Sequence, residues 1–216
     1  MTLSVDYFIS FRSPYSYLSG KRVVELAAQW DLEIKARPVF PIAIRDPDFF
    51  KKANPMWQPY LLRDTVRVAE MLDIPYGWPQ PDPIVQDMET RVFAKHQPYI
   101  SRLTYLGIEA AKRGKGVEFY RQVSQLLFGG TVQGWDEGGH MAEAAGRAGL
   151  DLAVMEAAIA GNEDACEAAA ADNQSALHDS GHWGVPTLVF EGEPFFGQDR
   201  IEMCLWRMKR RGLKLR

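Results

Sequence analysis

Cysteine is scarce: the 216-residue chain holds two, Cys166 and Cys204, and neither stands in a C-x-x-C pair. That is too few for a disulfide scaffold, and reduced thiols are expected. A basic excess is missing as well. Lys+Arg number 25 against 28 Asp+Glu, a formal charge of −3, so the footprint of a nucleic-acid binder is absent. No apolar run approaches the roughly 18 residues that cross a bilayer. The chain passes from Met1 into a strand-like pattern with no basic n-region or apolar h-region, and a cytoplasmic protein is expected. Neither G-x-S-x-G, a P-loop nor G-x-G-x-x-G follows a strand pattern, which leaves those nucleophile and nucleotide classes without support. Of the four histidines, His178 and His182 are four apart with Asp179 between them, and His96 and His140 are distant. Gly181 interrupts any helical H-x3-H pair and spacing places no third ligand, so no metal is expected.

What the chain does contain is a strand–helix–strand opening. Leu3 to Ser10 is β-branched and aromatic, a buried-strand pattern. Tyr15 to Trp30 carries a helical apolar stripe through Leu18, Val23 and Leu26, with Pro14 placed for its first turn. Leu32 to Phe40 alternates with period 2. Such a crossover lays two parallel strands in one sheet. Strand character then vanishes until Pro186–Phe190 and Pro194–Gly197, separated by the turn Glu191-Gly192-Glu193. Helical patterns fill the interval over 60–72, 88–113, 117–127, 137–148, 152–160 and 162–180, among Pro-rich loops at 41–59 and 75–83. A last helix runs from Gln198 to Arg211, and the basic cluster Arg207, Lys209, Arg210, Arg211, Lys214 and Arg216 is read as its dipole-complementing end. Strand pairs at the two ends complete one sheet. The fold expected is α/β: a sheet domain of order β-α-β … β-β-α from residues 1–40 and 184–216, interrupted by an all-helical insertion over 41–183.

Three loop segments could carry chemistry. Ser13-Pro14-Tyr15-Ser16 opens the first helix, where free N–H groups and the dipole favour an anion; Ser13 either caps the helix or presents its hydroxyl to a bound thiolate. Gly184-Val185-Pro186-Thr187 precedes a strand; a trans Pro186 would open an edge strand, and a cis one would expose the Val185 backbone to an extended ligand. Gly197-Gln198-Asp199-Arg200 begins the last helix, where Asp199 either caps or receives an ammonium group. Trp57, Tyr60, Tyr76 and Trp78 either wall an apolar pocket or belong to the core or a dimer surface.

Together these resemble the thioredoxin superfamily, in its DsbA-like branch with a helical insertion. The position of C-P-x-C is held by Ser13 and Ser16, so dithiol–disulfide exchange is chemically unavailable. The whole set is similar to 2-hydroxychromene-2-carboxylate isomerases and kappa-class glutathione transferases: Val5-Asp6-Tyr7-Phe8, Ser13 to Leu18, Arg37-Pro38-Val39, Asn54-Pro55, Leu62-Arg63-Asp64, Gly184 to Thr187 and Phe196 to Glu202. The resemblance implies glutathione as cofactor, with Ser13 on its sulfur, Val185 before a cis Pro186 on its cysteinyl backbone, and Gln198 and Asp199 on its γ-glutamyl end. Asn54 would stand near the thiol and a small aromatic substrate. Asn54-Pro55-Met56 departs from the family's basic residue and paired prolines, and Gln198 stands where Ser or Asn is common. The implied activity is glutathione-dependent cis–trans isomerisation by a homodimer; the alternatives are a kappa-type transferase or peroxidase and a non-catalytic thioredoxin-like binding module.

Overall fold

The computed structural model describes residues 2–87, 89 and 92–216. The sheet has four strands, β1 (Leu3–Ile9), β2 (Leu32–Pro38), β3 (Thr187–Phe190) and β4 (Glu193–Phe196), in the order β2-β1-β3-β4. β1 and β2 run parallel from Leu3↔Leu32 to Ile9↔Pro38, while β3 is antiparallel to both β1 and β4. Between β1 and β2 lies α1 (Pro14–Gln29). After β2 come α2 (Ile42–Arg45), α3 (Phe49–Lys52), α4 (Trp57–Met71), α5 (Pro98–Lys112), α6 (Gly116–Phe128), α7 (His140–Arg147), α8 (Leu152–Ile159) and α9 (Glu163–Asp179). A 3-10 turn, Gln198–Arg200, leads into α10 (Ile201–Arg210). The fold is the expected mixed α/β arrangement with helices inserted between β2 and β3.

Alternation along β1 sorts its side chains. Val5, Tyr7 and Ile9 enter one continuous core with Leu18 and Val23 of α1, Ile100 and Leu103 of α5, Phe119 and Tyr120 of α6, and Met208 of α10. Phe8 points the other way, to Val39 and Leu177 of α9, with Val185 and Val189 at the margin. The inserted helices thus share their apolar interior with the sheet. Gly107 makes that approach possible: a Cβ there would fall 2.7 Å from the Phe11 ring and 3.1 Å from Pro38. Tyr120 meets Tyr7 edge-on at 6.2 Å and Phe11 at 5.2 Å, tying α6 to the segment that precedes α1.

Three expectations need correction. The helix read from Met88 begins at Pro98 instead; Met88, Thr90 and Arg91 lie outside the described residues, and Val92 to Gln97 are not helical. A proline at the first helical position excludes the helical conformation from the residue before it. The buried Gln97 amide occupies that approach, accepting from Val85 N–H at 2.8 Å and donating to the Val85 and Ala94 carbonyls at 2.8 Å each. Residues 41–59, read as loop, contain the four-residue helices α2 and α3 and the start of α4. The last helix begins as a 3-10 turn. Its basic end is engaged with the β3–β4 hairpin: Arg207 pairs with Glu193 at 2.7 Å and Arg211 with Glu191 at 2.8 Å.

Candidate functional site at the start of the first helix

Ser13 occupies the N-cap of α1 with extended φ/ψ of −105° and 112°, and its Oγ accepts from Ser16 N–H at 3.2 Å. Capping is therefore real, and it leaves the hydroxyl proton for a second partner. That partner is the Val185 carbonyl, 3.4 Å away and 172 positions along the chain. Capping, which the sequence set against presentation of the hydroxyl to a bound thiolate, thus occupies only the acceptor side of Ser13 Oγ. Ser16 is fully buried, and its Oγ lacks a hydrogen-bond partner.

The Val185–Pro186 peptide is cis, as is Gln80–Pro81. Pro186 C=O accepts from Gly197 N–H at 2.9 Å, and Thr187 Oγ1 donates to Gly184 C=O at 2.7 Å. These bonds fix the segment on both sides of Val185. Gly184 is held flat beneath Phe196, where a Cβ would lie 2.5 Å from the ring. His182 stacks on that ring at 4.0 Å, and its Nδ1 accepts from Gly184 N–H at 2.9 Å. Burial holds His182 below the usual imidazole range, and an acceptor role for Nδ1 suits the neutral ring. Among the described residues no three His, Cys, Asp or Glu side chains gather as a metal site.

Beside this segment lies a cavity of about 310 Å³ walled by Phe49, Trp57 and Trp183, with Asp46, Lys52, Ala53 and Asn54 at its border. Asn54 Oδ1 accepts from Met56 N–H at 2.9 Å, a turn at the head of α4. Asn54 borders the cavity that Trp183, the residue before Gly184, helps to wall; neither Ser13 nor Val185 lines it. The four aromatic residues weighed from sequence divide. Trp57 walls the cavity; Tyr76 stacks on Phe128 at 6.3 Å; Trp78 meets Phe128 edge-on at 6.0 Å; Tyr60 is exposed and hydrogen-bonded to Asp64 at 3.2 Å.

Gln198 and Asp199 are separated by their environments. Gln198 is buried, and its backbone and side-chain oxygens accept from Arg22 Nη1 at 2.8 and 3.2 Å. Asp199 is exposed and paired with Arg200 at 2.6 Å. Only Asp199 presents its side chain to solvent; Gln198 anchors the turn to α1.

Three residues at the site escaped the sequence reading. Arg22 crosses from α1 to the turn at 198. Arg12, next to Ser13, forms a bidentate pair with Asp82 at 2.5 Å and lies 4.1 Å over the Trp78 ring. Arg45 of α2 donates to Phe40 C=O at 2.6 Å and Trp183 C=O at 3.0 Å, and burial lowers its pKa to about 10. It remains charged at neutral pH, yet both its partners are neutral carbonyls, which makes it a candidate for an external anion. The one local signal was a lone cation closing the apolar run Ile42-Ala43-Ile44.

A profile of the DSBA-like thioredoxin domain matches residues 4–209. The chain belongs to this family. Among solved structures, this DsbA-like chain is similar to 2-hydroxychromene-2-carboxylate isomerase, with 22% identity, a TM-score of 0.67, and 96% of this chain and 95% of that one covered. It is also similar to the cytosolic disulfide reductase DsbM from Pseudomonas aeruginosa, solved with GSH, at 14% identity and TM-score 0.61, covering 97% and 100% of the two chains. At these identities the likeness concerns the fold. No curated protein matches by sequence. The start of α1 carries serines at 13 and 16, and the two cysteines, Cys166 and Cys204, are free and buried elsewhere.

Proposed function

We propose that the chain is a glutathione-dependent isomerase acting on a small ring-opened aromatic substrate, of the kind that interconverts 2-hydroxychromene-2-carboxylate and trans-o-hydroxybenzylidenepyruvate. The observation that carries this reading is the placement of Ser13 Oγ at the N-terminus of α1, 3.4 Å from the Val185 carbonyl. The similarity to the isomerase supports it, as does the presence of GSH with DsbM.

The residues fit a cysteinyl thiol. In a cysteine the amide nitrogen and sulfur are about 3–4 Å apart across the χ1 torsion, which matches the 3.4 Å between Val185 O and Ser13 Oγ. A ligand N–H on the Val185 carbonyl would displace the Ser13 proton from that acceptor and free it for sulfur. The Ser13 hydroxyl and the α1 terminus then hold negative charge without any thiol of the protein's own. The exposed Asp199 carboxylate, paired with Arg200, would receive an ammonium group. When bound, glutathione supplies a thiolate that adds reversibly to a conjugated double bond, so that the carbon–carbon bond can rotate before the thiolate leaves. The chain's part is to shelter that exchange. Phe49, Trp57 and Trp183 would pack an aromatic ring and exclude water, Lys52 at the cavity border and Arg45 on the Trp183 carbonyl would neutralise a substrate carboxylate, and Asn54 would donate to developing oxygen charge.

Assays with glutathione and each substrate class test the reading. Isomerisation that needs glutathione but consumes none supports it. Net conjugate formation would assign the transferase activity instead, and calorimetric heat with a protein partner but none with glutathione would make the chain a binding module.

A further inference from the structure

β2 is an edge strand, and a cavity of about 810 Å³ runs along Glu33 to Pro38. The direction of its backbone groups follows from one bond. Val39 N–H donates to Ile9 C=O on β1 at 2.8 Å, so by alternation the odd-numbered residues of β2 face β1, and Ile34, Ala36 and Pro38 face away. Pro38 agrees with this parity: its carbonyl accepts from Asn173 Nδ2 of α9 at 2.9 Å. A side-chain amide thus does for the last outward carbonyl what a neighbouring strand would do. The N–H and C=O groups of Ile34 and Ala36 open into the groove, and no strand pairs with that edge among the described residues.

We infer that this edge accepts an extended peptide segment bearing acidic side chains, which adds to the sheet as a fifth strand. Small residues such as Ala28, Ala111 and Gly114 line the groove and leave room for a backbone. At its charged border Lys35 pairs with Glu33 at 3.5 Å and Arg37 with Asp6 at 2.9 Å, which leaves Lys112 and Arg216 against Glu118. This local positive excess runs against the chain's formal −3, which gives the edge a preference of sign. Main-chain pairing supplies affinity in such additions, and alternate side chains supply selectivity. A recess flanked by α5, α6 and α9 suits a single strand better than the equally recessed edge of a second copy.

The test uses the full chain and two fluorescein-labelled hexapeptides, alternating Glu-Val and alternating Lys-Val. Anisotropy should show the acidic peptide binding at least about tenfold tighter, with amide shifts at Ile34 and Ala36. Ala36→Pro removes an outward N–H and leaves the β1 ladder intact, and Lys112→Glu reverses one border charge; each should weaken binding several-fold. If Ala36→Pro fails to fold, Lys112→Glu decides. Equal affinity for the two peptides, no binding, shifts confined to other strands, or indifference to Lys112→Glu would overturn the inference. Self-association abolished by Ala36→Pro would place a second copy on the edge and overturn it equally.

Discussion

Replacing Ser13 with glycine removes one hydroxyl while leaving the helix start nearly as stable, because glycine is itself a tolerated N-cap and costs only about a few tenths of a kcal/mol. The wild-type hydroxyl accepts from Ser16 N–H at 3.2 Å and has a proton to give. A hydrogen bond to a charged partner contributes about 1.5–3 kcal/mol, and each 1.4 kcal/mol is about one pKa unit. From an ordinary thiol near 8.5, Ser13 alone would bring bound glutathione to about 6.5–7.5. Ser13→Gly should therefore raise the bound thiol by about one to two units and cut its thiolate fraction at neutral pH severalfold or more, with the denaturation midpoint nearly unmoved. The assay is a pH titration of the ultraviolet thiolate band of bound glutathione, run beside denaturant unfolding. Ser13→Ala, which costs the cap about 1 kcal/mol, separates the two roles, since it should shift the thiolate alike but lower stability more. An unchanged thiolate midpoint in Ser13→Gly would refute the reasoning.

Further outcomes follow from the same geometry. Arg45→Met strips two carbonyls of their donor; substrate KM should rise more than kcat falls, with about 1–3 kcal/mol of stability lost, and Arg45→Lys should recover part of both. Gly184→Ala forces a Cβ into the Phe196 ring; calorimetry should find weakened glutathione binding and denaturation about 1–3 kcal/mol of destabilisation. His182 has a folded-state pKa below its unfolded value because burial disfavours the cation. The unfolded chain then binds the proton first, so stability should fall as pH drops below about 6.5 and level off once the folded form is also protonated. His182→Phe should remove that component from the difference between denaturation midpoints on the two sides of this window.

The ends of the chain were legible because their periodicity is local. Alternation in β1 and β2, the Pro14 helix start and the hairpin around Gly192 all act within a few residues. The interval before Pro98 was not legible. Its apolar spacing continues that of α5, while the Gln97 amide that holds it non-helical bonds to Val85, twelve positions away. At the site, Ser13 could be singled out from its place at a helix start, but its approach to Val185 spans 172 positions. Asn54, expected near the thiol and substrate, borders the cavity walled by Trp57 and Trp183. Gln198, expected on the γ-glutamyl end, is buried with its oxygens on Arg22, a contact 176 positions apart that no local pattern shows. Arg12, Arg22 and Arg45 act through long side chains reaching partners that lie far off in sequence or on a bare carbonyl, and no spacing rule encodes such reach.

We propose that the hydroxyl at the head of α1 holds the sulfur of a bound cysteinyl tripeptide. A crystal structure of the chain with glutathione addresses it directly. Sulfur should lie within about 3.5 Å of Ser13 Oγ, with the cysteinyl N–H on the Val185 carbonyl. Glutathione seated elsewhere, or bound with its sulfur turned away from Ser13, would contradict it.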